Sequence, residues 1–149
     1  MSAGRVGLAA IGFAALATVS VDRCRAGSPA AETSQPEMEF EVVGTPGEPR
    51  AGLVSVDSVG PGAVVLTGVL ETPTPCYGLA ATAGLQERTL KVTITATGQP
   101  GFCIQVLGAF AYRARIHGLS GGRYTLEVVA TYPGTGWESR VERLEVEVP

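Results

Sequence analysis

"RIHGLSGGRYTLEVVA" (residues 115–130) contains the end of one β-strand, a glycine-rich reversal and the start of a second β-strand. After the reversal every second residue is apolar, namely Tyr124, Leu126, Val128 and Ala130. A period of two is that of a strand with one buried face. The glycines give the backbone the freedom that a sharp turn needs. The stretch therefore predicts a structural corner, with Leu119 pointing inward.

The same period of two recurs along the chain between glycine, proline and polar turn residues. No segment has ten or more residues of clear helical periodicity. The pattern predicts an all-β fold, a single antiparallel β-sandwich of about seven to nine strands. Residues 63–71 are apolar on both faces, which predicts a central strand. The predicted strands are 38–43, 52–57, 63–71, 76–81, 88–98, 102–107, 109–116, 123–131 and 143–148.

Residues 1–26 have the features of a secretory signal peptide, with a buried helix of the domain as the alternative. Arg5 precedes an apolar run, residues 6–21, which is short for a membrane span and only mildly hydrophobic. Cleavage is expected after residue 26 or, alternatively, after residue 30. Residues 27–37 are small, polar and proline-containing, which predicts a flexible linker, and residues 38–149 form the domain. We expect a periplasmic, cell-surface or extracellular protein.

The three cysteines fit an oxidising compartment. Removal of the signal segment leaves Cys76 and Cys103, and we expect them to form a disulfide. The alternatives are a reactive thiol or a metal ligand, but His117 is the only histidine and no CxxC spacing occurs. No metal or cofactor is therefore predicted. Cys24 raises another alternative, lipidation, although Arg23 stands where lipoprotein signals have a small residue.

Charge and motifs argue against two classes of function. The formal net charge is −3, and no basic stripe suggests nucleic acid as a partner. No phosphate loop, GxSxG motif, paired-carboxylate motif or zinc signature is present. A catalytic pair of Cys103 and His117 would need the thiol that the predicted disulfide removes. We expect a protein that is not an enzyme.

Two loops are candidate sites for binding. Tyr132 and Trp137 flank a predicted hairpin tip, where exposed rings could bind a sugar or a peptide. Alternatively, both rings fold over the sheet edge and cap the core. The second loop, residues 73–77, is stiffened by two prolines and could act as in a protease inhibitor, or it could be a protected edge strand. Three arginines, Arg113, Arg115 and Arg123, form a basic patch or pair with glutamates as a solvated face.

Leu119 and Tyr124 at this spacing resemble the tyrosine corner of immunoglobulin-like and fibronectin type III domains. The resemblance covers about residues 111–141, and Ser120-Gly121 replaces the usual turn proline. The cysteines do not match the immunoglobulin placement. Gly-x-Tyr-x-Leu-x-Val at residues 122–128 also resembles the last hairpin of transthyretin-like, carboxypeptidase-regulatory-type domains. Both resemblances imply a β-sandwich that acts as a binding or accessory module.

These observations together predict an exported, non-enzymatic module that binds an unknown protein or carbohydrate at the cell envelope. The membrane would be a partner only through a lipid at Cys24. The alternatives are a secreted protease inhibitor and a lipid-anchored structural protein of the envelope.

Overall fold

The computed structural model describes residues 35–44 and 52–149, which form eight β-strands and no helix. The predicted signal peptide, Cys24 and residues 27–34 of the predicted linker lie outside the described residues. Within the described part, no helix is long and apolar enough to cross a membrane. The strands are β1 Glu37–Gly44, β2 Ser55–Gly60, β3 Ala63–Thr72, β4 Tyr77–Gln86, β5 Thr89–Gly98, β6 Gly108–His117, β7 Gly122–Thr131 and β8 Arg140–Val148.

The strands form two four-stranded sheets that enclose one core. The first sheet has the order β1-β6-β3-β2, and the second has the order β4-β5-β7-β8. As predicted, the apolar strand β3 is central, lying between β6 and β2. The prediction of a purely antiparallel fold is wrong, because β5 and β7 pair in parallel. The chain leaves the second sheet after β5 and returns along β6 in the first sheet. When it re-enters the second sheet, β7 therefore runs in the same direction as β5.

The alternating residues that predicted the strands supply the core. On β5, Leu90, Val92, Ile94 and Ala96 are all inaccessible to solvent. The inward residues of β7 and most of those of β6 are buried as well, so both sheets direct their apolar rows into a shared core. Burial of such side chains contributes about 1.5–3 kcal/mol each, which is why neither sheet would be stable alone.

The stretch that connects β6 to β7 is a corner, as its sequence predicts. Leu119 is buried, and Tyr124 opens β7 on the inner face. The Tyr124 hydroxyl donates a hydrogen bond of 2.7 Å to the carbonyl of Ser120. Gly118 and Gly122 have φ angles of 82° and 128°, a region that side-chain-bearing residues rarely adopt. The corner is held by backbone geometry and one buried tyrosine.

Residues 52–54 form a strap that covers the side of the sandwich where β2 and β8 meet, which we call the closed side. The predicted strand 52–57 therefore begins later, with β2. Both Leu53 and Val54 are buried, and their backbone N–H groups donate to the two carboxylate oxygens of Glu142, at 3.1 and 3.3 Å. Glu142 on β8 thus fastens the strap to the second sheet.

A buried tyrosine fastens the same strap to the first sheet. The hydroxyl of Tyr112, on β6, donates a hydrogen bond to the carbonyl of Leu53. A Cβ at Gly68 would collide with both groups, so only glycine permits this approach. Burial, followed by the charge of Glu142, raises the pKa of Tyr112 well above its usual range. The hydroxyl is therefore a fixed donor at neutral pH.

The opposite side, between β1 and β4, has no described strap, and we call it the open side. Apolar side chains that face inward on these two strands are only partly buried, in contrast to the sealed interior. Val42 on β1 is 43% exposed. The partly buried residues of the open side are Met38, Phe40, Tyr77, Leu79, Ala81 and Leu85.

Candidate functional site

Three loops meet at one end of the sandwich, which we call the loop end. Residues 73–76 join β3 to β4, residues 99–107 join β5 to β6, and residues 132–139 join β7 to β8. The parallel pairing of β5 with β7 places their carboxyl ends together. An ion pair of 3.7 Å between Arg140 and Glu71 links the start of β8 to the end of β3. The chain enters β1 and leaves β8 at the other end.

The disulfide joins two of these loops. Cys76 and Cys103 form the predicted bond, with their Cα atoms 6.0 Å apart. Next to it, the backbone N–H of Gln99 donates 2.8 Å to the carbonyl of Cys76. The disulfide holds the middle of the 99–107 loop, and the hydrogen bond holds its first residue, against the residue that precedes β4.

The 99–107 loop exposes four large apolar side chains, and we call it the apolar loop. The predicted strand at 102–107 is wrong, since this segment crosses from the second sheet to the first outside either ladder. Phe102 is 96% exposed and Leu107 is 69% exposed, while Ile104 and Val106 are exposed by more than half. Exposed apolar patches are found at protein or membrane interaction sites, at ligand-binding grooves and at aggregation-prone surfaces, which makes this loop a candidate site.

The predicted aromatic site is divided between the core and the surface. Tyr132 is buried, whereas Trp137 is 38% exposed and packs edge-on against it with ring centroids 5.3 Å apart. The tip between them is fixed by Thr135, whose hydroxyl donates to the carbonyl of Tyr132 at 2.9 Å. Of the two proposed ligand-binding rings, Trp137 alone presents a substantial surface.

The hydroxyl of Tyr132 has no hydrogen-bond partner among the described residues. Burial raises its pKa, while the charge of Arg140 acts in the opposite direction and that of Glu71 adds to the increase. A buried, unpartnered hydroxyl destabilises the fold. Its presence at the loop end makes Tyr132 a residue to test separately from Trp137.

The proline-bearing loop at 73–77 is held close to the sheet. Pro73 and Thr74 are only partly accessible, and the hydroxyl of Thr72 donates 2.6 Å to the carbonyl of Thr74. This fit restricts how far the loop could enter the cleft of a protease. In the apolar loop, across the disulfide, Phe102 and Leu107 are far more exposed than Pro73 and Thr74.

The remaining predicted candidates lie apart from one another. His117 ends β6 at the end opposite the loop end, so it cannot reach Cys103. Arg113 and Arg115 pair with Glu41 and Glu39 across β6 and β1, at 3.8 and 3.2 Å. These ion pairs favour the interpretation that the two arginines belong to a solvated face and do not form a basic patch. Within residues 35–44 and 52–149, no group of three potential metal ligands is found.

Sequence reasoning missed the apolar loop because its alternating apolar residues have the pattern of a strand. The proline and glycine that precede it, Pro100 and Gly101, are the signal that could have identified a loop. Glu142 was also missed. It lies in phase with the inward residues Leu144, Val146 and Val148, and an acidic side chain in an inward row indicates a polar contact.

No protein-family model matches the chain, and no curated protein or solved structure matches it either.

Proposed function

We propose that this protein is an exported, non-enzymatic β-sandwich module that binds a protein partner at the cell envelope through its loop end. The single observation that carries the proposal is the set of exposed side chains on the apolar loop. Burying any one of them against a partner contributes about 1.5–3 kcal/mol before the costs of association.

The attachment of the loop supports a binding role. Cys76 and Cys103 restrict the motion of the exposed segment, so less conformational entropy is lost when a partner orders it. Trp137 adds a partly exposed ring at the same end of the sandwich. Rigid apolar loops on a stable scaffold are a common form of binding site.

The chemistry of the loop favours protein over carbohydrate. Three of the four exposed side chains, Ile104, Val106 and Leu107, are aliphatic and carry no hydrogen-bonding groups. A sugar would need polar groups and flat rings, whereas an apolar pocket or groove on a protein accepts aliphatic side chains. The residues from 92 to 112 contain no charge, so the partner surface is expected to be apolar as well.

The direction of the chain fits display at an envelope. The predicted linker precedes β1 in the sequence, and the first residue of β1, Glu37, pairs with His117 at the end away from the loops. A module attached through its amino-terminal segment would thus hold its apolar loop away from the attachment point. The bond from Tyr124 to Ser120 matches the tyrosine corner of immunoglobulin and fibronectin type III domains, whereas the parallel pairing of β5 with β7 departs from their antiparallel sheets.

Site-specific photo-crosslinking tests the proposal. Benzoylphenylalanine replaces Phe102 or, as the control, Arg123, which is also exposed but lies at the opposite end. After irradiation in the envelope and culture-fluid fractions of the source cells, we expect a discrete protein adduct from position 102 alone. The adduct should disappear when Ile104→Ser and Leu107→Ser are added.

Three results would contradict the proposal. Equal adducts from both positions would mean non-specific contact, and adducts with lipid would mean that the loop inserts into a membrane. Absence of any adduct at position 102 would favour a structural role without a soluble partner.

A further inference from the structure

Four strands form the edges of the two sheets, and three of them carry features that hinder pairing with another chain. β1 presents Glu39 and Glu41 and has a register shift near Gly44. β2 has only six residues and a register shift beside Asp57. β8 alternates charged residues along its length. Charge, shortness and bulges are the usual protections of an exposed edge.

The fourth edge, β4, has none of these protections. Its ten residues, "YGLAATAGLQ", contain no charge and no proline. Its register with β5 runs unbroken from Tyr77 opposite Gly98 to Gln86 opposite Thr89. A long, regular and uncharged edge presents free backbone N–H and C=O groups to another strand.

The hydrogen-bond pattern fixes which backbone groups of β4 are free. The N–H of Gln99 donates to the carbonyl of Cys76, and bonded pairs alternate along an antiparallel ladder. Even-numbered residues of β4 therefore bond to β5. The odd-numbered residues direct their N–H and C=O groups out of the edge, and these are Tyr77, Leu79, Ala81, Ala83 and Leu85.

The sequence of β4 is nearly a palindrome centred on Thr82. Leu79 and Leu85 are equally distant from the centre, as are Ala81 and Ala83. In an antiparallel pair of two β4 strands with Thr82 opposite its own copy, each Leu79 lies opposite Leu85. These pairs join odd residues to odd residues, so the free groups of one copy meet those of the other. Sequence and hydrogen bonding thus select the same register.

The open side provides a second reason for self-association. Leu79, Ala81 and Leu85 are only partly buried in the single chain, as is Phe40 on β1. In the two-fold pair the leucines of one copy come to lie against those of the other on the inner face. Both copies contribute the same surface to this contact, as in an isologous dimer.

We propose that the protein forms a symmetric dimer in which β4 pairs antiparallel with β4 of a second copy, with Thr82 on the two-fold axis. The two second sheets then become one continuous eight-stranded sheet. Because the strands are antiparallel, the apolar loops of the two copies lie at opposite ends of the dimer.

A cysteine at the axis tests the register. On the axis the two Thr82 residues form a non-hydrogen-bonded pair with Cα atoms about 4.5 Å apart, within the range of a disulfide. Thr82→Cys, in the full chain with Cys24→Ser, should form a covalent dimer in air that reduction separates. Ala80→Cys is the matched control, because Ala80 is also exposed on the same face. Its two copies would be about 13 Å apart, too far to react.

A charge at the axis tests the association itself. Thr82 is exposed in the single chain, so Thr82→Lys should fold normally, but two ammonium groups would face each other in the dimer. We expect its sedimenting mass to be half that of the wild type. The control Thr97→Lys, on the outer face of β5, should keep the full dimer mass.

A wild-type protein that sediments as a monomer would overturn the proposal. So would a dimer that persists in Thr82→Lys, or crosslinking of Ala80→Cys in preference to Thr82→Cys. The circular dichroism spectrum of each variant establishes that it is folded.

Discussion

The closed side of the sandwich is sealed by polar bonds to a buried strap, whereas the open side leaves apolar side chains partly exposed. On the closed side, Glu142 and Tyr112 hold Leu53 and Val54 from both sheets. On the open side, no described strand pairs with the outer edge of β4. The same core is therefore complete along one side and incomplete along the other.

The closed side stabilises the single chain, and under our two proposals the open side and the apolar loop serve association. Carboxylate and hydroxyl groups that are matched to backbone partners fix one arrangement of the chain. An uncharged edge that adjoins an apolar loop, joined to it through Cys76 and Cys103, leaves surface that a partner can cover. Each of the following variants should remove contacts on one side of the sandwich and leave the contacts of the other side in place.

Loss of the disulfide should have the largest effect on the free energy of unfolding. The bond closes a loop over a sequence separation of 27 on the open side. Cys76→Ser with Cys103→Ser should lower stability by about 3–4 kcal/mol, because the unfolded chain gains conformational freedom. Urea denaturation measures this, with Cys24→Ser as the unaffected control. A loss below about 1 kcal/mol would show that the loops are held by other contacts.

Glu142→Ala should release the strap and open the closed side. Two backbone N–H groups would lose a charged acceptor, so we expect a loss of about 2–3 kcal/mol. Glu145→Ala is the control on the same strand, since the Glu145 carboxylate accepts a single exposed hydrogen bond from Thr125. Glu145→Ala should lower the free energy of unfolding by no more than about 0.5 kcal/mol. Equal losses in the two variants would contradict the proposed role of Glu142.

Removing one hydroxyl from each of two buried tyrosines should have different effects on the free energy of unfolding. Tyr112→Phe leaves the carbonyl of Leu53 without its donor and should cost about 1–3 kcal/mol. Tyr132→Phe removes a hydroxyl that has no partner among the described residues and should not lower stability. Thermal unfolding compares the two variants. Destabilisation by Tyr132→Phe would mean that its hydroxyl is bonded after all.

Raising the pH into the alkaline range should lower the free energy of unfolding gradually, through Tyr112 on the closed side. The effect should be smaller than those of the destabilising substitutions above. Burial raises the pKa of Tyr112 above its ordinary value of 10.0, so the folded state holds this proton more tightly than the unfolded state. The resulting stability is complete below pH 10 and is lost as the pH rises above it. Denaturation midpoints measured upward from about pH 9 should therefore fall less steeply in Tyr112→Phe than in the wild type. Identical slopes would contradict the assignment.

Much of the fold follows from local patterning. The alternation in β5, β7 and β8, the corner at Leu119 and Tyr124, and the pairing of Cys76 with Cys103 are all visible in the sequence and present in the structure. Each depends on neighbours in the chain or on the small number of cysteines. Such features are predictable because few alternatives compete with them.

The features that distinguish the two sides could not be predicted from local patterning. The parallel pairing of β5 with β7 depends on strand order, which arises from contacts between distant segments. That order also makes β4 an edge, so its near-palindrome has no meaning until the sheets are known. The strap and the apolar loop depend on where the chain crosses between sheets. Local patterning therefore predicts strands at these residues.

Hydrogen exchange of individual backbone amides tests the contrast between the two sides most directly. At dilutions where the protein is monomeric, we predict fast exchange for Leu79, Ala81 and Ala83, whose N–H groups leave the free edge. Leu53 and Val54 should be protected through Glu142 at every concentration. As the protein concentration increases, the β4 amides should become protected together. Fast exchange of Leu53 and Val54, or β4 amides that stay unprotected at all concentrations, would contradict the account.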